Sequence, residues 1–208
     1  MGPRAEIWLA DAGGASEEQL AAYLSWLGPG EVARHARFVR PLRRRQFLVG
    51  RALLRMALGR LLEVAPADVA LDQQPGCAPH LVSPDDARAV AGLSVSHSGR
   101  WAACAVSAQT QLGLDIEVMN AGRDLAALAE QAFDAAACAR LAALSPALRV
   151  PAFYEMWSEQ EARIKLGAGG EEGAQGSCIA LPHPELSIVL CSAQALAEVP
   201  KLTAVTLI

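Results

Sequence analysis

The chain has 208 residues, 52% of them hydrophobic, with a formal charge of -4 and a pI of about 5.6. That composition supports a buried core and excludes a disordered chain, and the acidic balance argues against a general nucleic-acid binder. No apolar run is long enough to span a bilayer and the N-terminus lacks a secretory pattern, so a cytoplasmic protein with no membrane partner is expected.

Residues 5–10 are expected to form a short strand, followed by a helix opened at Ser16 with Gln19 as its capping-box partner. Pro29 and Pro41 stand where first-turn helical prolines belong, ahead of helical segments over 30–39 and 42–62. Nine arginines between Arg34 and Arg60 crowd this stretch, whereas lysine occurs only at Lys165 and Lys201. Arginine on two helices is ordinarily a solvated face; a functional version divides it between an anionic ligand and an acidic partner surface.

From residue 69 the texture changes. Val69-Ala-Leu is a short strand candidate, and Pro75, Gly76 and Pro79 mark a turn. Three β-like runs follow, 92–96, 101–107 and 112–118, spaced as an antiparallel meander. Residues 124–144 are expected to be helical, as are 151–166, the latter started by Pro151 and ended by Gly167. Segment 171–176 is expected to be a mobile loop, and the tail holds strand candidates over 185–191 and 202–208. This order suggests two successive α+β halves, 1–108 and 109–208. The five cysteines are odd in number and contain no Cys-x-x-Cys pair, so reduced, mostly buried thiols are expected rather than a disulfide framework or zinc site.

Three clusters carry chemistry. In Gly113-Leu-Asp-Ile-Glu117 a strand presents Asp115 and Glu117 on one face and Leu114 and Ile116 on the other. Neighbouring carboxylates repel unless a cation lies between them, and Mg2+ with its oxygen ligands resolves that repulsion; alone, Asp-x-Glu is more often a solvated edge. Glu161 and Lys165 share a helix face, which alone reads as an exposed ion pair. Ser96, His97 and Ser98 end a strand where hydroxyls and an imidazole can reach phosphate oxygens. A Ser-His catalytic pair is disfavoured there because adjacent strand residues point to opposite faces.

Taken together, Ser-His-Ser-Gly-Arg-Trp (96–101), Gly-Leu-Asp-Ile-Glu (113–117) and Trp-Ser-Glu-Gln-Glu-Ala-Arg-Ile-Lys (157–165), preceded by Arg37-Phe38 and Gly50-Arg-Ala-Leu-Leu-Arg55, resemble the 4′-phosphopantetheinyl transferases of the monomeric, pseudo-twofold kind. The resemblance implies two similar halves, each a small, mostly antiparallel sheet packed with helices, with coenzyme A across their junction. It implies Mg2+ on Asp115, Glu117 and Glu161, phosphate contacts from Ser96 and His97, and Lys165 on the pyrophosphate. The 3′-phosphate would be held by N-terminal basic residues, with Arg44, Arg45 and Arg51 as candidates. An acyl or peptidyl carrier protein would supply the acceptor serine, and Glu161 would take its proton. Two departures stand out: the family usually has lysine where Gln160 stands, and a basic residue where Ala78 stands. Those losses motivate an alternative, a coenzyme A or carrier-binding protein without efficient transfer. A Mg2+-dependent nucleotide phosphohydrolase also suits the carboxylates, although no P-loop supports it.

Overall fold

The computed structural model describes residues 2–73, 78–83, 90–167 and 176–207. Strand β1 (Glu6–Asp11) leads into helices α1 (Glu17–Leu24), α2 (Pro29–Arg37) and α3 (Pro41–Leu62). The Ser16 side chain accepts from the Gln19 amide at 3.1 Å, while the Gln19 side chain accepts from the Ser16 amide at 2.6 Å, completing the expected capping box. Both prolines sit in the first turns of α2 and α3. A two-stranded ribbon, β2 (Ala70–Asp72) with β3 (His80–Ser83), precedes β4 (Gly92–Ser98), β5 (Trp101–Ser107) and β6 (Leu112–Val118). Helices α4 (Leu125–Ala132), α5 (Ala135–Ala143) and α6 (Pro146–Gly167) follow, then β7 (Ser177–Leu181), β8 (Leu186–Ser192) and β9 (Leu202–Ala204).

The strand orders reveal two matching halves. One sheet runs β4-β5-β1-β9 and the other β6-β8-β7. Without β9, each half starts with a strand (β1 or β6), follows it with two short helices and then a 22-residue helix (α3 or α6), and ends with a hairpin whose last strand pairs antiparallel with the first. The fold is α+β in two halves. β9 pairs parallel with β1, so the chain re-enters the first half's sheet after completing the second.

Packing gives four layers. β5 (Trp-Ala-Ala-Cys-Ala-Val-Ser) is buried on both faces: Ala102, Cys104 and Val106 meet α3, while Ala103 and Ala105 meet the other sheet. Ile7 and Leu9 of β1 join the sheet-to-sheet core with Leu114, Ile116, Ile188 and Leu190. Beyond the second sheet, Val189 and Cys191 pack on Ala162 and Leu166 of α6. The outcome is helix, sheet, sheet, helix, with the two apolar sheet faces forming the central core.

Several expectations need correction. The three runs from 92 to 118 are not one meander: β4 and β5 form a hairpin, and β6 joins the second sheet. The segment 124–144 holds two helices, because Asp124 and Asp134 each accept an amide of a new first turn, from Ala127 and Ala137. Helix α6 begins at Pro146 rather than Pro151. Arg149 donates to the carbonyls of Leu141, Ala142 and Leu144, tying the first turn of α6 to the end of α5, and Pro151 is absorbed inside the helix. The tail holds three strands, not two, and the last is short. Cys178 and Cys191, directly opposite on β7 and β8, form a disulfide, in place of the all-reduced thiols expected; Cys104 and Cys138 are free. Pro75, Gly76, Cys77 and 171–175 lie outside the described residues. No helix among the described residues is long and apolar enough to cross a membrane.

Candidate active site

The site is built where β6 meets both α6 and the first half. A Cβ on Gly113 would lie 2.0 Å from the Ala162 carbonyl oxygen, so only glycine lets β6 press directly against α6. That contact brings Lys165 down onto the strand. Its Nζ lies 2.7 Å from Asp115 Oδ1, 3.0 Å from Ser96 Oγ and 3.0 Å from the Leu114 carbonyl oxygen. Asp115 is 4% exposed, and its second oxygen, Oδ2, is buried without a partner. Glu117 stands two residues on, on the same face. Burial pushes its carboxyl above the usual range, with Asp115 adding to the rise and a Ser98 hydrogen bond opposing it.

Glu161 does not pair with Lys165 as an exposed helical ion pair. Lys165 goes to Asp115, and among the described residues Glu161 makes no hydrogen bond or ion pair. No three His, Cys, Asp or Glu side chains among the described residues are grouped closely enough to hold a metal. The orphaned Asp115 Oδ2 and the half-buried Glu117 nevertheless fit two ligands of a hard, oxygen-preferring cation.

Beside this floor opens a cavity of about 360 Å³ lined by Arg34, Phe47, Arg51, His97, Ile164 and Lys165, with no carboxylate among its described lining residues. A second cavity, about 300 Å³, continues past Ala78, Pro79, Leu93 and Lys165. Arg51 is buried, 3.3 Å from Glu31, and stacks on Phe47 with its guanidinium 5.1 Å from the ring centre. Its Nη1 has no partner, and burial, partly offset by Glu31, pushes its pKa down to about 10. Arg55 binds the same Glu31, so two buried guanidinium groups share one carboxylate and an uncompensated positive charge faces the cavity. His97 lies 2.9 Å from an Arg43 nitrogen through Nδ1; burial first, then Arg43, lowers its pKa and keeps the ring neutral near pH 7.

The three candidate arginines separate. Arg51 lines the cavity, Arg44 donates to the Phe38 carbonyl at 3.1 Å, and Arg45 binds the Ala15 carbonyl and Glu17, both at 2.5 Å. Arg34, on α2, also lines the cavity, and Arg43 contacts the cavity-lining His97. The spacing Arg43, Phe47, Arg51 puts these three on one face of α3. Ser96 and His97 point apart, as adjacent strand residues do. The Ser96 hydroxyl accepts from the Ile116 amide at 3.2 Å and from Lys165, and donates to Asp115 Oδ1 at 3.0 Å, which fills its hydrogen-bonding capacity.

Comparison with known proteins bears on this arrangement. Residues 14–109 match a family described as the N-terminal part of 4′-phosphopantetheinyl transferase. The 4′-phosphopantetheinyl transferase HetI of Nostoc is 35% identical over 156 residues, 74% of this chain and 65% of that protein. The 4′-phosphopantetheinyl transferase Sfp of Bacillus subtilis is 26% identical over 175 residues, covering 84% and 71%. A Synechocystis protein provisionally given the same activity is 28% identical over 179 residues, covering 86% and 71%. The matched stretches thus span about two thirds of these relatives' own lengths.

Proposed function

Because the chain belongs to the 4′-phosphopantetheinyl transferase superfamily, we propose that it transfers the 4′-phosphopantetheine group of coenzyme A to a serine of an acyl or peptidyl carrier protein, releasing 3′,5′-ADP. The observation that carries this reading is the cavity lined by Arg34, Arg51, His97 and Lys165, with no carboxylate among its described lining residues, opening beside the Asp115 and Glu117 carboxylates. A pyrophosphate linked to a 3′-phosphorylated nucleotide is the kind of ligand such a cavity suits.

In this reading the N-terminal half, 1–108, supplies the nucleotide contacts and the C-terminal half, 109–208, supplies the carboxylates and Lys165. Both halves lie on one chain, so a monomer suffices, and we assign the reaction to the cytoplasm. Arg51, held rigid by Glu31 and Phe47, brings a fixed positive charge to the cavity wall, where it would face the 3′-phosphate or pyrophosphate. Neutral His97 donates one ring N–H to a phosphate oxygen. The carrier serine oxygen forms a bond to the phosphorus next to pantetheine as the bond from that phosphorus to the bridging oxygen breaks. Glu161, without a partner among the described residues, takes the serine proton, directly or through water. Lys165 faces the charge that develops on the leaving oxygens. Asp115 and Glu117, with Glu161 as the third carboxylate, would hold Mg2+, which neutralises phosphate charge when bound. Positioning and electrostatics account for most of the acceleration.

A second reading, a binding protein with little transfer, rests on exposed Gln160 and on Ala78 at the cavity wall, where the family usually has cations. Purified protein incubated with coenzyme A, Mg2+ and apo carrier proteins distinguishes them by carrier mass. A gain of one phosphopantetheine, lost on chelation or in Glu161→Gln, establishes transfer. Coenzyme A binding without any carrier modification supports the binding protein instead.

A further inference from the structure

β4 and β6 run side by side at the junction of the halves but belong to different sheets, without a ladder of backbone bonds between them. Serine hydroxyls take the ladder's place. Ser94, Ser96 and Ser98 accept the amides of Leu114, Ile116 and Val118 at 2.9, 3.2 and 3.0 Å. Three backbone donors on the edge of β6 that has no strand partner are thereby satisfied. Two of these hydroxyls also donate. Ser96 donates to Asp115 Oδ1 at 3.0 Å and Ser98 to Glu117 Oε2 at 2.7 Å. Opposite Ser94 the corresponding residue is Gly113, which has no carboxylate.

We propose that Ser98 is a positioning residue for Glu117, and Ser96 its counterpart for Asp115, so that the seam between the halves sets the spacing and aim of the carboxylate pair. Each serine is fixed by the β6 amide one residue beyond the carboxylate it holds. Each takes one carboxylate oxygen and leaves the other unengaged: Asp115 Oδ2 has no partner, and among the described residues Glu117 accepts only from Ser98. A carboxylate anchored through one oxygen presents the second in a fixed direction, as the outer partners of metal ligands do. A hydroxyl serves here because it donates and accepts together, which an amide hydrogen of a true ladder cannot do. The inference rests on the reading of Asp115 and Glu117 as cation ligands.

The test is Mn2+ binding to the coenzyme A-loaded protein, followed by loss of the free-ion electron paramagnetic resonance signal, with Tm recorded in parallel. Ser98→Ala is expected to weaken Mn2+ binding by about tenfold, and Ser98→Thr, which restores the hydroxyl, to recover it. Ser94→Ala removes the same seam bond without a carboxylate, and is expected to lower Tm while leaving Mn2+ affinity at the wild-type value. Wild-type affinity in Ser98→Ala, or equal weakening in Ser94→Ala, overturns the positioning role alone. If Glu117→Gln binds Mn2+ as well as wild type does, the ligand reading fails and the proposal falls with it.

Discussion

The two halves share a topology, yet their long helices do different work. α3 buries a nearly unbroken run from Leu48 to Arg55, including two guanidinium groups. α6 buries only Tyr154, Ser158, Ala162 and Leu166 from Tyr154 onward, one residue per turn, and so keeps Glu161 and Lys165 accessible on its flank. α3 fixes positive charge in place by embedding it; α6 carries Lys165 on a part-buried flank, bonded to Asp115, Ser96 and the Leu114 carbonyl oxygen, and is seated by the close approach at Gly113 and by Ala162 and Leu166 on the second sheet. Embedding costs desolvation that a shared carboxylate, Glu31, offsets together with the Gln73 side chain and the Phe47 ring, whereas a part-exposed lysine is more adaptable. One half is suited to hold a fixed anion and the other to respond as charge moves.

Substitutions can break that division. On α6, Glu161→Gln or Lys165→Ala should lower the rate of carrier modification by about 10² to 10⁴-fold. Glu161→Gln should change Tm little, whereas Lys165→Ala also strips buried Asp115 of its cation and should lower Tm; a large fall in Tm for Glu161→Gln would show that this face of α6 is structural instead. On the α3 side, Glu31→Gln leaves Arg51 and Arg55 buried without their anion and should cost about 3–5 kcal/mol of stability, read from denaturant midpoints. Near-neutral stability would mean that water reaches those guanidinium groups. Between these, Gly113→Ala drives a methyl into the Ala162 carbonyl and should cost about 1–3 kcal/mol, with activity falling as α6 is displaced; unchanged activity at lowered stability would separate α6 placement from chemistry.

The smallest effect concerns acid. His97 has its pKa held below the ordinary 6.5 by burial and by Arg43. The unfolded chain therefore binds a proton more readily, and this contribution to stability is complete above about pH 6.5 and is lost as pH falls through 6.5 towards the folded value. His35 and His183 shift in the same direction, so the informative quantity is the difference between wild type and His97→Gln. The variant should lose less stability between pH 7.5 and pH 5.5 in urea titrations; an identical loss would place His97 in water.

Much of this was legible in the sequence because it rested on short-range periodicity. The two-residue period of 113–117 separated Asp115 and Glu117 from Leu114 and Ile116, and the capping signature at Ser16 located α1. What escaped depended on distant partners. Nothing local in 112–118 says that its edge will meet serine hydroxyls rather than a backbone ladder. The split of 124–144 was legible in principle, since Asp134 is a capping residue, but the alanine-rich context concealed it. The Cys178–Cys191 bond needs the β7–β8 register, which spacing does not supply. The arginines were hard to sort because charge alone does not distinguish Arg45, tied to Glu17, from Arg51, tied to Glu31.

The parallel pairing of β9 with β1 has a consequence for the order of assembly. β1 is made first, but one of its edges stays bare until residues 202–204 have been synthesised. Gln19 on α1 likewise bonds the Leu207 carbonyl oxygen at 2.6 Å. The amino-terminal half therefore cannot finish folding on a growing chain: it waits, with an open strand edge vulnerable to neighbouring chains, until nearly the whole of the second half has been made.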